Sequence, residues 1–393
     1  RTGDTAAQAA ARGNLALCLW TQGRRAEAFE HWQHALDLSR QNGNRRSEAD
    51  VSGNLGHVLQ AEGRLTEARE HHERQLALCR ELGHRLGEAG ATVNLGNVHL
   101  SEGRLTAARE HYERAIAITS EIGHRRGTAT AVGNLGNVLM SQGRLAEARQ
   151  HYERHRALSR EIGDRQGEVR AIGNLGSVLW AQGQLADAKE VYGRYAALSR
   201  EIGYRKGEAT ARHNLGAVLR EEGDDAGART FLVECLGVCE ETHDAYLASA
   251  TRLALGSLGA ASDESERRAA LEAARELAVT HGFPGVETLA RCHLACLPDG
   301  RPEDALAAFA AHGERLDTAE RREALYLLFQ ATGDRAHLDA ARRLLEDAVA
   351  HVDDETRERM LGRLRVNREI VAAWDRARGG PEHSGTESPT HAG

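Results

Sequence analysis

The stretch Gly133-Asn134-Leu135-Gly136-Asn137-Val138-Leu139 returns along the chain at a fixed distance. Forty residues earlier the chain has Val93-Asn94-Leu95-Gly96-Asn97-Val98, and forty residues later it has Gly173-Asn174-Leu175-Gly176-Ser177-Val178-Leu179. The first asparagine of the stretch recurs in one register at Asn14, Asn54, Asn94, Asn134, Asn174 and Asn214. Because a constant period of roughly 20–50 residues is typical of repeat architectures, the sequence predicts an array of similar units.

The composition favours helices that pack closely through small side chains. Hydrophobic residues make up 41% of the 393 residues, but aromatic residues only 4%. The net charge is −7 with both signs interspersed, so the basic stripe typical of nucleic-acid-binding proteins is missing. No apolar stretch approaches the roughly 18 residues of a membrane span. With sparse cysteines and no secretory signal, we expect a cytoplasmic protein with reduced thiols.

Each unit is predicted to contain two helices separated by glycine. In the second unit the apolar spacing predicts helices over 48–61 and 65–82, with Gly63 between them. A glycine just past a helix end supplies a left-handed cap without a steric clash at Cβ. The glycines between the helices are Gly23, Gly63, Gly103, Gly143, Gly183 and Gly223, and those after the second helix are Gly43, Gly83, Gly123, Gly163 and Gly203.

A second set of glycines lies inside the first helices, where glycine costs about 1 kcal/mol relative to alanine. Its repetition therefore predicts that the partner helix approaches the backbone there. These glycines are Gly56, Gly96, Gly136, Gly176 and Gly216. The matching small residues on the second helices are Ala28, Ala68, Ala108, Ala148, Ala188 and Ala228. The large residues four positions after these alanines are Trp32, His72, Tyr112, Tyr152, Tyr192 and Leu232.

These features resemble the tetratricopeptide repeat. The Leu-Gly pair, the glycine between the helices, the alanine and the aromatic residue four positions later carry the resemblance, although the unit here has 40 residues instead of the usual 34. The phrase Leu95-Gly96-Asn97 is similar to the Leu-Gly-Asn repeat adaptors of spindle orientation and, more distantly, to kinesin light chain. Bacterial signalling proteins carry similar 40-residue arrays. The resemblance implies an all-α, right-handed superhelix (an α-solenoid).

We expect three parts in the chain. Residues 1–243 hold six regular units. Residues 244–377 keep the 40-residue spacing, but the characteristic residues of the repeat are increasingly replaced. They are therefore expected to form degenerate helix pairs that end in one long capping helix over 355–377. Residues 378–393 are polar and rich in Pro, Gly, Ser and Thr, and are expected to be disordered. In total, about nine helix pairs and a terminal helix are predicted.

The asparagine column is the leading candidate for a binding site. In the repeat family that the chain resembles, the first helices line a concave groove and this column faces it. Asparagine offers a donor and an acceptor on one short side chain, which match the C=O and N–H of an extended peptide. The candidate peptide-binding residues are Asn14, Asn54, Asn94, Asn97, Asn134, Asn137, Asn174, Asn214, Arg170, Trp180 and Arg220. The alternative is a structural role, in which each asparagine fixes the adjacent unit.

Other polar columns give weaker signals. The histidines His31, His71, His111 and His151 are too far apart, at helix spacings of about 8–10 Å, to share one zinc ion. The pairs Cys235/Cys239 and Cys292/Cys296 are interpreted as small buried side chains. The sequence contains no phosphate-binding loop and no hydrolase or metalloprotease motif, so no catalytic residues, metal or cofactor are predicted.

The sequence therefore predicts a protein- or peptide-binding scaffold without enzymatic activity. Its groove would hold an extended peptide segment, with no direct contact to nucleic acid or membrane. An alternative is the regulatory or sensor region of a larger bacterial signalling protein, such as a kinase, transcription regulator or caspase-like protease, whose effector would precede Arg1. The oligomeric state does not follow from the sequence.

Overall fold

The computed structural model of the protein describes residues 2–259 and 263–378. Within these ranges it contains twenty α-helices, one short 3₁₀ helix and no strand. The first twelve helices, which we call the array, are α1 Thr2–Thr21, α2 Arg25–Gln41, α3 Arg45–Ala61, α4 Leu65–Glu81, α5 Arg85–Ser101, α6 Leu105–Glu121, α7 Arg125–Ser141, α8 Leu145–Glu161, α9 Arg165–Ala181, α10 Leu185–Glu201, α11 Arg205–Glu222 and α12 Asp225–Thr242. The others, which we call the C-terminal region, are α13 Ala245–Gly256, α14 Glu264–His281, α15 Pro284–Ala295, α16 Pro302–His312, the 3₁₀ turn Gly313–Arg315, α17 Thr318–Thr332, α18 Arg335–Val349, α19 Asp354–Arg363 and α20 Arg365–Arg378.

The 40-residue period has a simple structural origin. Two helices of 17 residues alternate with turns of three residues, as in α3 and α4. The last residue but one of each turn is a glycine with positive φ, for example 75° at Gly63 and 65° at Gly83. A side chain would be strained in this left-handed conformation, which confirms the predicted glycine caps.

The first helices form the inner side of the array. Each first helix packs against its own second helix, and also contacts the first helix of the next unit, as α5 contacts α7 and α7 contacts α9. Consecutive first helices therefore lie side by side. Every helix in the described ranges is too short or too polar to cross a membrane.

The C-terminal region does more than cap the last unit of the array. One hydrophobic cluster joins Tyr112 and Val138 of the array with Leu345 and Ile370 of α18 and α20. The Thr318 hydroxyl donates to the Ser141 carbonyl over 3.3 Å. Helices α17–α20 thus fold back along the array and contact units far from them in sequence.

The predicted long terminal helix is wrong, because the structure has two helices, α19 and α20, with a break at Leu364 (φ −78°, ψ 122°). Contacts with the array and a local hydrogen bond account for the break. The Glu221 carboxylate accepts the backbone N–H of Arg365, and the Asn367 amide donates to the Met360 carbonyl over 2.9 Å. In addition, Leu364 packs against the hydrophobic cluster of units five and six. Of the tail predicted to be disordered, Arg378 ends α20, and residues 379–393 lie outside the described residues.

Candidate functional site

In the five units from α3 to α12, a glycine places the inner helix directly against a large side chain of its own second helix. A Cβ atom built on Gly96 would lie 2.7 Å from Cε1 of Tyr112, and one on Gly136 would lie 2.6 Å from Cε1 of Tyr152. Both rings are buried. The predicted close approach of the partner helix is therefore confirmed. The same contact joins Gly56 to His72, Gly176 to Tyr192 and Gly216 to Leu232.

The buried tyrosines orient polar side chains on the inner surface. The Tyr112 hydroxyl donates to Oδ1 of Asn97 over 2.7 Å, and the Tyr152 hydroxyl donates to Oδ1 of Asn137 over 2.9 Å. Because the rings are fixed by packing, these hydrogen bonds hold each asparagine in one orientation.

The asparagines of neighbouring units also bind each other. The amide Nδ2 of Asn134 donates to Oδ1 of Asn97 over 3.3 Å, and Nδ2 of Asn174 donates to Oδ1 of Asn137 over 3.4 Å. Each acceptor oxygen thus receives one hydrogen bond from a tyrosine of its own unit and one from the next unit. We call Asn97, Asn134, Asn137 and Asn174 the asparagine ladder.

Toward its ends the column is less connected. The Asn94 amide lies 3.4 Å from Nε2 of His57 in the previous unit. The side chains of Asn14, Asn54 and Asn214 make no hydrogen bond to any residue that the structure describes. The asparagines that are hydrogen-bonded to one another therefore lie in the central units.

Only half of each ladder amide is used within the protein. Across residues 2–259 and 263–378, Nδ2 of Asn97 and Asn137 and Oδ1 of Asn134 and Asn174 have no hydrogen-bond partner. Asn137 is exposed and the other three are half-buried, so water reaches the ladder. The ladder presents unused donors and unused acceptors in successive units.

The three other predicted site residues lie in different environments. Arg170 is exposed and forms no hydrogen bond or ion pair with the described residues. Trp180 is half-buried, and it lines a cavity against α17 and α19. The Arg220 side chain is 14% exposed and donates to the Ser257 hydroxyl over 2.6 Å. Arg220 is therefore engaged by the chain itself instead of facing an open groove.

The histidine and cysteine columns are partly buried. Burial lowers the pKa of His71, His111 and His151, and the His111 ring stacks on that of His99 with the centroids 5.1 Å apart. Cys235 and Cys239 are buried with their Sγ atoms 3.8 Å apart. In the part of the chain that is described, no group of three or more His, Cys, Asp or Glu side chains could hold a metal ion.

A column of buried glutamates was missed by the sequence analysis. Glu88 is only 4% exposed and accepts from Arg80, Arg85 and Arg114 over 3.1, 2.6 and 3.3 Å. Burial acts to raise its pKa, but the arginines outweigh it and hold the pKa below its ordinary value. The signal was present as Arg-x-x-Glu at the start of α3, α5, α9 and α11. Glu48 and Glu208 repeat the arrangement.

Comparison with known families agrees with this architecture. Models of the tetratricopeptide repeat match residues 8–42, 47–121, 127–201 and 209–245. These ranges cover more than half of the sequence, so the chain belongs to the tetratricopeptide repeat proteins. The predicted all-α superhelix is confirmed. No curated protein sequence matches the chain.

Several solved structures share the fold over most of their length. The Rap conjugation gene regulator of the plasmid pLS20, solved with the Phr* peptide, is 13% identical with a TM-score of 0.58, covering 90% of this chain and 97% of that one. A Rap protein complexed with competence and sporulation factor is 12% identical with a TM-score of 0.54, covering 86% and 99%. The apo form of the quorum sensor NprR from B. thuringiensis is 14% identical with a TM-score of 0.53, covering 85% and 86%. At these identities the likeness concerns the fold.

Proposed function

We propose that the protein acts by binding, and that its asparagine ladder holds an extended peptide or protein segment. The unused half of each ladder amide carries the proposal. An extended backbone offers alternating C=O and N–H groups, and the ladder offers free N–H groups at Asn97 and Asn137 and free C=O groups at Asn134 and Asn174. Main-chain hydrogen bonds of this kind give affinity with little regard to the side chains of the ligand.

The connection between units supports the same proposal. The ladder is also compatible with a structural role of the asparagines, because its hydrogen bonds join neighbouring units. These bonds fix the side chains before a ligand arrives, which reduces the entropy lost on binding. The structural role uses one polar atom of each amide and leaves the other available to a ligand. Arg170, which is exposed and unpaired among the described residues, would add a cation beside the ladder.

The regulatory alternative also has support. The pLS20 protein is a gene regulator solved with a bound peptide, and NprR is a quorum sensor. Because both share this fold over most of the chain, we propose that a bound peptide serves here as a signal. The two proposals are compatible, since the second requires the binding site of the first.

The experiment removes the N–H donors of the ladder amides and keeps their acceptor oxygens. In the double variant Asn97→Asp/Asn137→Asp the carboxylates still accept from the tyrosines and from the next unit, but the free N–H groups are lost. Linear peptides selected from a random display library on the wild-type protein should bind the variant about tenfold or more weakly, because each lost hydrogen bond contributes roughly 0.5–1.5 kcal/mol. Helix content and urea midpoint should stay near the wild-type values.

The matched control is Asn44→Asp, which makes the same chemical change away from the ladder. Asn44 caps α3 by accepting from the backbone of Ser47 over 3.0 Å, and Asp164 makes the same cap on α9. This variant should bind the peptides as the wild type does. Equal binding by the ladder variant would contradict the proposal, as would a selection that yields no peptide specific for the folded protein.

A further inference from the structure

A cavity of about 180 Å³ lies where the array meets the C-terminal region. The array contributes Met140 and Trp180, each near the end of a first helix. The C-terminal region contributes Arg322 of α17 and Met360 of α19, and Leu364 lies at the break between α19 and α20. The walls are thus mainly apolar, with one guanidinium group among them.

Arg322 has no carboxylate in direct contact within the described residues. It forms no hydrogen bond or ion pair there, and its Nε atom is buried. The two nearest carboxylates are engaged elsewhere. Glu323 lies 3.4 Å from Nε2 of His293, and Oδ1 of Asp317 accepts the backbone N–H of Glu320 over 2.8 Å. Burial lowers the pKa of the Arg322 guanidinium, and the charges of Asp317 and Glu323 offset this effect only in part.

A half-buried cation beside an apolar space is costly unless an anion joins it. We propose that this cavity binds a small apolar carboxylic acid, whose carboxylate pairs with Arg322 and whose apolar group contacts Trp180 and Met360. Guanidinium groups form two parallel hydrogen bonds with a carboxylate, which gives both strength and orientation. A cavity of about 150 Å³ is known to hold benzene, so the ligand has about the size of benzoate.

One carboxylate of the protein also lines the cavity and must be compatible with the ligand. Asp317 uses its Oδ1 atom to cap α17. The backbone N–H of Glu320 donates to this carboxylate over 2.8 Å, which compensates part of its negative charge. The ligand would contact both the array and the C-terminal region, so its binding is expected to stabilise their association.

The test uses the full chain and two probes of equal size, benzoate and the uncharged benzyl alcohol. Benzoate should raise the melting temperature and change the tryptophan fluorescence of the protein in a saturable way, whereas benzyl alcohol should bind at least about tenfold more weakly. Arg322→Gln should weaken benzoate binding by about the same factor. The neighbouring substitution Arg321→Gln should leave benzoate binding unchanged, because Arg321 does not line the cavity. Its side chain is 41% exposed and lies 3.9 Å from the carboxylate of Glu314.

A second variant protects the test against loss of folding in Arg322→Gln. Ala348 lines the same cavity, and Ala348→Leu would fill part of it while leaving Arg322 in place. This variant should also lose benzoate binding. The proposal is overturned if benzoate causes no saturable response, if benzyl alcohol binds equally well, or if both variants bind benzoate like the wild type.

Discussion

The array and the C-terminal region are both made of antiparallel helix pairs, but different interactions hold them together. In the array, α2–α10 all have 17 residues, and the same glycine, alanine and aromatic positions make the contacts in the second to fifth units. In the C-terminal region the helices have 10–18 residues. There, α17–α20 are held by contacts to distant parts of the chain that do not repeat, such as the hydrogen bond between Arg365 and Glu221.

This difference shows how sequence period and stability are related. In a repeat array each unit contacts mainly its neighbours, so one set of short-range contacts is used many times. The C-terminal region combines a hydrophobic cluster shared with the array with charged and polar groups that occur once and are partly buried. Glu320 is an example, since burial raises its pKa to about 7. The two regions should therefore respond differently to pH and to substitution.

The largest expected effect concerns two buried histidines of the array. Burial lowers the pKa of both His72 and His155 to about 4, so the folded protein resists their protonation. Between about pH 6.5 and pH 4 the unfolded chain binds more protons, and stability falls as the pH falls. At pH 5 each histidine should cost about 2 kcal/mol of unfolding free energy relative to pH 7.5.

The array itself supplies the substitution that tests this. Tyr112 and Tyr195 occupy the equivalent positions in other units, where their rings lie against Gly96 and Gly173. The double variant His72→Tyr/His155→Tyr should therefore fold, and urea unfolding at pH 7.5 and pH 5 should show a smaller loss on acidification than in the wild type. Parallel pH profiles for the two proteins would contradict the assignment.

The next effect tests the glycine contacts of the array with two matched substitutions. In Gly136→Ala the new methyl group would meet the Tyr152 ring at 2.6 Å, and overpacking of this kind costs about 1–3 kcal/mol. In Gly90→Ala the methyl group meets nothing within 4 Å, so the gain in helix propensity should stabilise the protein by up to about 1 kcal/mol. Urea unfolding should show changes of opposite sign. Two stabilised variants would mean that the tyrosine ring moves aside easily.

The array was predictable from sequence because its determinants are local and repeated. The turn glycines have positive φ and the helix glycines lie against large side chains, as their spacing indicated. The position of the asparagine column was also predictable. Its hydrogen bonds were not, because they depend on how far the Tyr112 hydroxyl reaches and on the offset between neighbouring units.

The C-terminal region was less predictable for a physical reason. The apolar pattern over 355–377 is that of one helix, and only contacts with residues far away in sequence break it. Likewise, Arg220 has the position of a groove residue, but it binds Ser257. No periodic signal marks such contacts, since each occurs once. That Trp180 and Arg322 line one cavity could not be predicted, for the same reason.

The smallest expected effect tests the buried acid of the C-terminal region. Because burial and the nearby Asp317 raise the pKa of Glu320 to about 7, the folded state favours its protonated form. Its contribution to stability is present at pH 4.5 and is lost as the pH rises toward about 7. In Glu320→Gln the side chain stays neutral, and its oxygen can still accept the backbone N–H of Asp317, as Glu320 does over 3.1 Å.

We expect Glu320→Gln to gain about 2 kcal/mol of stability relative to the wild type when the pH rises from 5 to 7.5, by urea unfolding or by hydrogen exchange in α17. This pH response is opposite in sign to that of His72 and His155, so the two regions can be told apart in one titration. The control Glu314→Gln changes a side chain that is 94% exposed and should have no effect. A variant that loses stability relative to the wild type over this rise in pH would show that an ionised Glu320 stabilises α17, and the contrast between the two regions would then rest on packing alone.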